Sequence, residues 1–188
     1  MKLSRPAALV LGFAALLLLF AGCAYVPAPS DAEPFAFEEL AHLFTLTDDE
    51  ILDRWGEPDR EIVTDYMGLL ASEFLYGKNV YRTEATSGYA YYACIYDDAV
   101  PAPREIRVGM KVGDAAARFA SSGGGTLYDD GSGSRYRLLY GDYLEGDSYG
   151  VLFYENGKPK LLEYASQGCV FACGIRGGKV EYMEYYLK

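Results

Sequence analysis

The sequence predicts an α+β protein: two tandem helix-plus-antiparallel-meander repeats forming one sheet, with helices packed on one face. Three observations lead there. A short helix with both ends written into the chain stands at 47–56. The hydrophobic period then changes from helical to strand-like. The same order, short helix and then strands, recurs after residue 101.

The chain starts with a targeting segment. Lys2 and Arg5 form a basic n-region, and Ala7 to Phe20 is an uncharged apolar run, too short for an ordinary transmembrane helix. It leads into Phe20-Ala21-Gly22-Cys23. That order resembles a lipoprotein signal, with Phe20 where leucine is usual. Residues 1–22 are thus expected to be removed, with lipid on the Cys23 sulfur. An ordinary secretory signal and an uncleaved anchor are the alternatives. Ala24 follows; in Gram-negative lipoproteins an aspartate there retains the protein at the inner membrane, so Ala24 favours the outer one. Removing two basic and no acidic residues takes the formal net charge from −10 to −12. Such acidity argues against nucleic acid as a partner.

Residues 23–36 read as the lipidated cysteine and a tether, kept extended and unpacked by Pro27, Pro29 and Pro34. Repeat one spans 37–100. Glu38 to Phe44 forms a first short helix. In the second, Thr47 caps the N-terminus with Glu50 three residues on, and Asp48 and Asp49 complement the dipole. Ile51, Leu52 and Trp55 share a face. Gly56 can take a positive φ past the end, and Pro58 stops continuation. Strands follow at Leu69 to Tyr76, Val80 to Ala85 and Gly88 to Tyr96.

Repeat two spans 101–188. Arg107-Val108-Gly109-Met110 leads into a helix over Val112 to Ala120. Residues 121–134, with five glycines, read as a loop. Strands are expected at Arg135 to Tyr143, Gly150 to Glu155, Lys160 to Ala165, Cys169 to Ile175 and Val180 to Leu187. Glu155-Asn156-Gly157-Lys158 carries a two-residue hairpin signal.

Thr47-x3-Ile51-x3-Trp55-Gly56-x-Pro58 resembles a motif of the small outer-membrane assembly lipoproteins (SmpA/OmlA, or BamE). Arg107-Val108-Gly109-Met110 resembles the segment just before it in that family. Repeat one has Thr45-Leu46 in place of Gly-Met, and repeat two lacks the Gly-x-Pro stop. Two such units in tandem also resemble the β-lactamase inhibitor proteins. That resemblance implies a curved sheet whose open face grips a protein.

Chemistry is hard to find. His42 is the one histidine, in a predicted helix between Ala41 and Leu43, with nothing nearby to make it part of a nucleophilic device. Gly123-Gly124-Gly125 lacks the strand-to-helix setting of a phosphate cradle. Asp129 to Ser134 lacks the late carboxylate of a calcium loop. No cofactor and no metal are expected, and no catalytic residue is named. Setting Cys23 aside leaves Cys94, Cys169 and Cys173. On one extended strand, Cys169 and Cys173 stand about 13 Å apart, beyond disulfide reach. Cys94 with Cys169 or Cys173 is therefore the expected bond; a three-cysteine metal site is the alternative.

Tyrosine is abundant, 18 against one tryptophan and nine phenylalanines. Tyrosines at period two border a sheet or line a binding surface. In 88–96 the two faces are Tyr89, Tyr91, Ala93 and Ile95 against Ala90, Tyr92, Cys94 and Tyr96. In 180–187, Tyr182, Glu184 and Tyr186 oppose Glu181, Met183, Tyr185 and Leu187. Tyr89, Tyr91, Tyr182, Glu184 and Tyr186 are chosen as the partner-binding set, on the ground that Met183, Leu187 and Cys94 belong under cover. The expected function is a lipid-anchored, extracytoplasmic, non-enzymatic binding module for an envelope protein. The alternative is an envelope carbohydrate-binding protein or hydrolase using paired carboxylates.

Overall fold

The computed structural model describes residues 25–66, 68–100, 102–129 and 134–188. The signal segment and Cys23 lie outside the described residues.

Among the described residues ten strands make one antiparallel sheet. They are β1 (Arg60–Tyr66), β2 (Leu69–Tyr76), β3 (Asn79–Glu84), β4 (Ala90–Ile95), β5 (Leu127–Asp129), β6 (Arg135–Gly141), β7 (Ser148–Glu155), β8 (Lys158–Ser166), β9 (Cys169–Arg176) and β10 (Lys179–Leu187). The spatial order is β1-β2-β3-β4-β10-β9-β8-β7-β6-β5. Two meanders thus join through their last strands, β4 and β10, with Met183 opposite Ile95 and Tyr185 opposite Ala93. The hairpins follow local turn chemistry. Between β7 and β8, Asn156 and Gly157 both take positive φ (52° and 74°), matching the right-handed twist of the strands they connect.

Among the described residues helices are few and short: α1 (Glu38–Phe44), α2 (Asp48–Trp55) and α3 (Val112–Ala116), with a 3-10 turn at Pro103–Glu105. The expectation of two helix-plus-meander repeats under a helical layer is corrected accordingly. One continuous sheet dominates. The short helices share the cover of their face with two extended stretches, near 25–37 and 100–110, which supply buried Phe35 and Ile106. The local signals of α2 are all present. The Thr47 hydroxyl accepts from Glu50 N–H (3.3 Å), and the Glu50 carboxylate accepts from Thr47 N–H (2.9 Å). Gly56 has φ +80° and donates to the Leu52 carbonyl. The Trp55 ring stacks on Tyr81 of β3 at 4.4 Å.

β1 and β5 were not expected. β1 is an edge strand of mixed polar residues that leaves Val63 exposed, so no buried face imposes an alternation on it. The expected free tether is also corrected. Ser30 bridges to Ser121, the Tyr154 hydroxyl donates to the Tyr25 carbonyl (2.6 Å), and the Phe35 N–H donates to the Tyr140 hydroxyl (2.9 Å). The prolines keep this segment extended, but extended backbone can still pack.

Arg104 ties these pieces together. Its guanidinium makes a two-pronged contact with Glu39 (2.8 and 2.6 Å). It also donates to the carbonyls of Glu33 (2.6 Å), Pro34 (2.9 Å) and Arg118 (2.7 Å). It lies over the Phe119 ring at 4.4 Å. Arg104 and Glu105 both hold positive φ (55° and 60°), a conformation costly for non-glycine residues that surrounding contacts must enforce.

Candidate functional site

In an antiparallel ladder, directly opposed residues share a face. The face under the helices carries one row running Leu152, Leu162, Cys173, Met183, Ile95. A second runs Tyr164, Phe171, Tyr185, Ala93, Tyr81, Phe74. These residues belong to the main core, where Phe119 of the segment after α3 packs on Tyr164 at 4.0 Å.

The other face has its own rows. One reads Val151, Glu163, Ala172, Glu184, Cys94, Val80, Leu75. The next reads Tyr149, Ala165, Val170, Tyr186, Tyr92, Arg82, Glu73, Ile62. Among the described residues no helix packs here. Val151, Val170, Ala165 and Ala172 are nevertheless buried beneath aromatic neighbours on the same face, including Tyr136, Tyr143, Phe153 and Tyr186. Small floor residues under tyrosine rings make a closely packed aromatic surface.

Polar groups run through it in two clusters. The Tyr149 hydroxyl donates to Glu163, which is only 7 % exposed, at 2.6 Å. The Lys188 ammonium sits over the Tyr149 ring and donates to its hydroxyl. The Tyr92 hydroxyl donates to Glu184 (3.1 Å). The Arg82 guanidinium lies 4.5 Å from the Tyr92 ring centre and pairs with Glu73 (2.6 Å). Burial raises the acidities' pKa for Tyr149, Tyr92 and Tyr186. Glu163 adds to the rise at Tyr149 and Tyr186; Cys94, then Glu184, adds to it at Tyr92. These phenols therefore stay protonated donors at neutral pH, with the Tyr149 and Tyr92 hydroxyls aimed at Glu163 and Glu184. Glu163 and Glu184 stand on either side of Ala172, two strands or about 10 Å apart at Cα.

Of the predicted set, Tyr182, Glu184 and Tyr186 occupy this face. Tyr89 does not join them: it precedes β4, bridges to Thr47 at the head of α2, and is 51 % exposed. The choice between the two sides of the 88–96 strand is corrected. Ala93 and Ile95 go to the helices, while Tyr92 and Cys94 join Glu184 and Tyr186. The reason is the pairing with β10, which sets Ala93 and Ile95 opposite the core residues Tyr185 and Met183; a register shift in β3 further separates Ala90 from this alternation, since Arg82 opposes Tyr92 and Thr83 opposes Ala90. Tyr91 is the extra residue of that bulge, and simple alternation fails across it. Sequence reading also passed over Tyr149, Glu163, Arg82 and Lys188. The period-two argument applied to β7 and β8 would have grouped Tyr149 with Val151 and Glu163 with Ala165.

The expected disulfide is corrected as well. Cys94, Cys169 and Cys173 are free and buried. Cys94 faces the tyrosine rows, whereas Cys169 and Cys173 lie in the core on the opposite face. The sheet itself separates the partners. His42 borders a crevice with Leu43, Trp55 and Tyr81.

No family model matches the chain, and no curated protein matches it. Solved structures similar to the chain include two bacterial proteins. One is an extracellular protein containing an SCP domain from Bacillus anthracis: 12% identity, TM-score 0.49, covering 87% of this chain and 50% of that one. The other is a cysteine-rich secretory protein from Staphylococcus aureus: 10% identity, TM-score 0.49, covering 87% of this chain and 51% of that one. The chain spans about half the length of each. The architecture implied by the resemblance to the SmpA/OmlA lipoproteins and to the β-lactamase inhibitor proteins is corrected: the described residues form one long ten-stranded sheet, not two helix-plus-meander repeats. A motif of a few positions around a capped helix records how a helix starts and stops, which unrelated chains share.

Proposed function

We propose that the protein is an extracytoplasmic, non-enzymatic binding module, held to a membrane by lipid on Cys23. In a double-membraned cell that membrane is the outer one. Its working surface is the tyrosine and carboxylate face of β4, β10, β9, β8 and β7, and its partner is a protein presenting cationic side chains. The observation that carries this reading is the pair of unbroken rows centred on Ala172 and Val170. There Glu163 and Glu184 stand among Tyr149, Tyr186 and Tyr92 on a face without helical cover. Such a surface suits an arginine or lysine, which gains both carboxylate and ring-face contacts. Tyrosines also give large contact area at low entropic cost.

A photo-crosslinking residue placed at Tyr92 or Tyr186 in cells tests it. The expected result is a discrete protein adduct from these positions and none from Asp49 on α2. Adducts absent from both tyrosine positions, or equal from all three, refute the reading.

A further inference from the structure

A second site stands at one end of the sheet. The β8–β9 ladder stops at Leu161 opposite Gly174. Yet β8 stays paired with β7 down to Lys158, and β9 with β10 down to Arg176. The two hairpins therefore part beyond that point and leave a groove of about 780 Å³ between their tips. Its lining includes Lys158, Lys160 and Arg176. Lys179 directly opposes Arg176, and Lys111 bridges to Lys179. Five of the chain's 17 basic residues thus gather at one end of a protein of net charge −10.

Two of these cations have only surface partners. Lys160 pairs with Glu155 (3.2 Å) and Arg176 with Glu181 (3.0 Å), and the two basic side chains are 61% and 81% exposed. Exposed pairs contribute little, so a ligand acid can displace the carboxylates. The groove also has an aromatic wall. The Tyr182 ring lies across Gly174 so closely that a Cβ there would come within 2.2 Å of it. Tyr182 is thereby held flat against the floor beside the cations.

We propose that this groove binds an acidic saccharide, one sugar ring laid on Tyr182 and its acid group between Lys160 and Arg176. An added peptide strand is the poorer fit. The β8 edge carries Pro159, which has no N–H, and a register shift that leaves Lys160 as the extra residue. Proline, bulges and lysines are the devices that blunt an edge against strand addition.

Titration calorimetry on the full chain in detergent tests this. The probes are a galacturonic acid decamer, a phosphorylated galactan decamer, a neutral galactan decamer and poly-L-glutamate. Binding of either acidic saccharide is expected, with the stronger one naming the acid group, and none of the galactan. Arg176→Gln and Lys160→Gln should each weaken it about tenfold. Gly174→Ala should weaken it severalfold by lifting Tyr182 while every charge remains. Melting curves confirm that the variants fold. Failure of both acidic saccharides to bind overturns the proposal, as do equal binding of poly-L-glutamate and variants that bind like the parent. None of these substitutions touches Tyr92 or Tyr186, so this result and the crosslinking result stand independently.

Discussion

Replacing Arg104 with alanine removes one side chain and disconnects three parts of the molecule. The guanidinium holds Glu39 on α1, the carbonyls of Glu33 and Pro34 in the N-terminal segment, and the Arg118 carbonyl after α3. Breaking a buried ion pair from one side costs about 3–5 kcal/mol. Here the two side chains are 21% and 22% exposed, so water recovers part of that, and about 3 kcal/mol is expected. With a urea m-value of about 2 kcal/mol/M, the unfolding midpoint falls by about 1.5 M. Lysine carries the charge but not the fork, and should recover less than half of the loss. Glycine adds a second discrimination. Because residue 104 has φ +55°, Arg104→Gly should be about 1 kcal/mol more stable than Arg104→Ala, the reverse of the order in ordinary backbone. Urea unfolding of the four proteins, followed by Trp55 fluorescence, provides the measurement. An alanine variant within 0.3 M or so of the parent midpoint, or a lysine variant equal to the parent, refutes the linking role.

Trp55→Ala should cost about 2 kcal/mol, less than a fully buried tryptophan, since the ring is half-buried on Tyr81; an unchanged melt would show that the stack contributes nothing. Gly56→Ala, at φ +80°, should cost about 1–3 kcal/mol by the same assay. Peptide mapping without reduction should find Cys94, Cys169 and Cys173 unlinked, with all three thiols reacting only after unfolding; a Cys94–Cys169 or Cys94–Cys173 peptide would contradict the separation of faces. Burial raises Tyr140 to about 12 and Cys169 to about 11, from 10.0 and 9.0. The folded state thus holds protons more tightly, so this stability is complete below about pH 9 and is lost as pH rises through 11 to 12. Unfolding midpoints that stay flat across that range would exclude it. Cys23→Ala should abolish labelling by a fatty-acid analogue, and equal labelling of both proteins would sink the lipid anchor.

The sequence by itself determined what is decided within a few residues. The capping box of Thr47 and Glu50 spans three positions, and the stop at Gly56 needs only a residue that tolerates positive φ. Asn156-Gly157 sets its hairpin because both residues accept the left-handed turn. The strands of the second half announced themselves through branched and aromatic runs. Tertiary structure decided the rest. Nothing local tells β4 to pair with β10, the last strand of the chain. The face taken by Tyr92 and Cys94 is set by their pairing with Tyr186 and Glu184 across the β4–β10 ladder. That pairing puts Cys94 on the far side of the sheet from Cys169 and Cys173, where no bond can reach. Arg104 reads in the sequence as one more surface cation. Its role appears only when residues 65 to 71 positions away in the chain come within hydrogen-bonding distance, because a guanidinium's five donors are satisfied by whatever carbonyls and carboxylates the fold delivers to it.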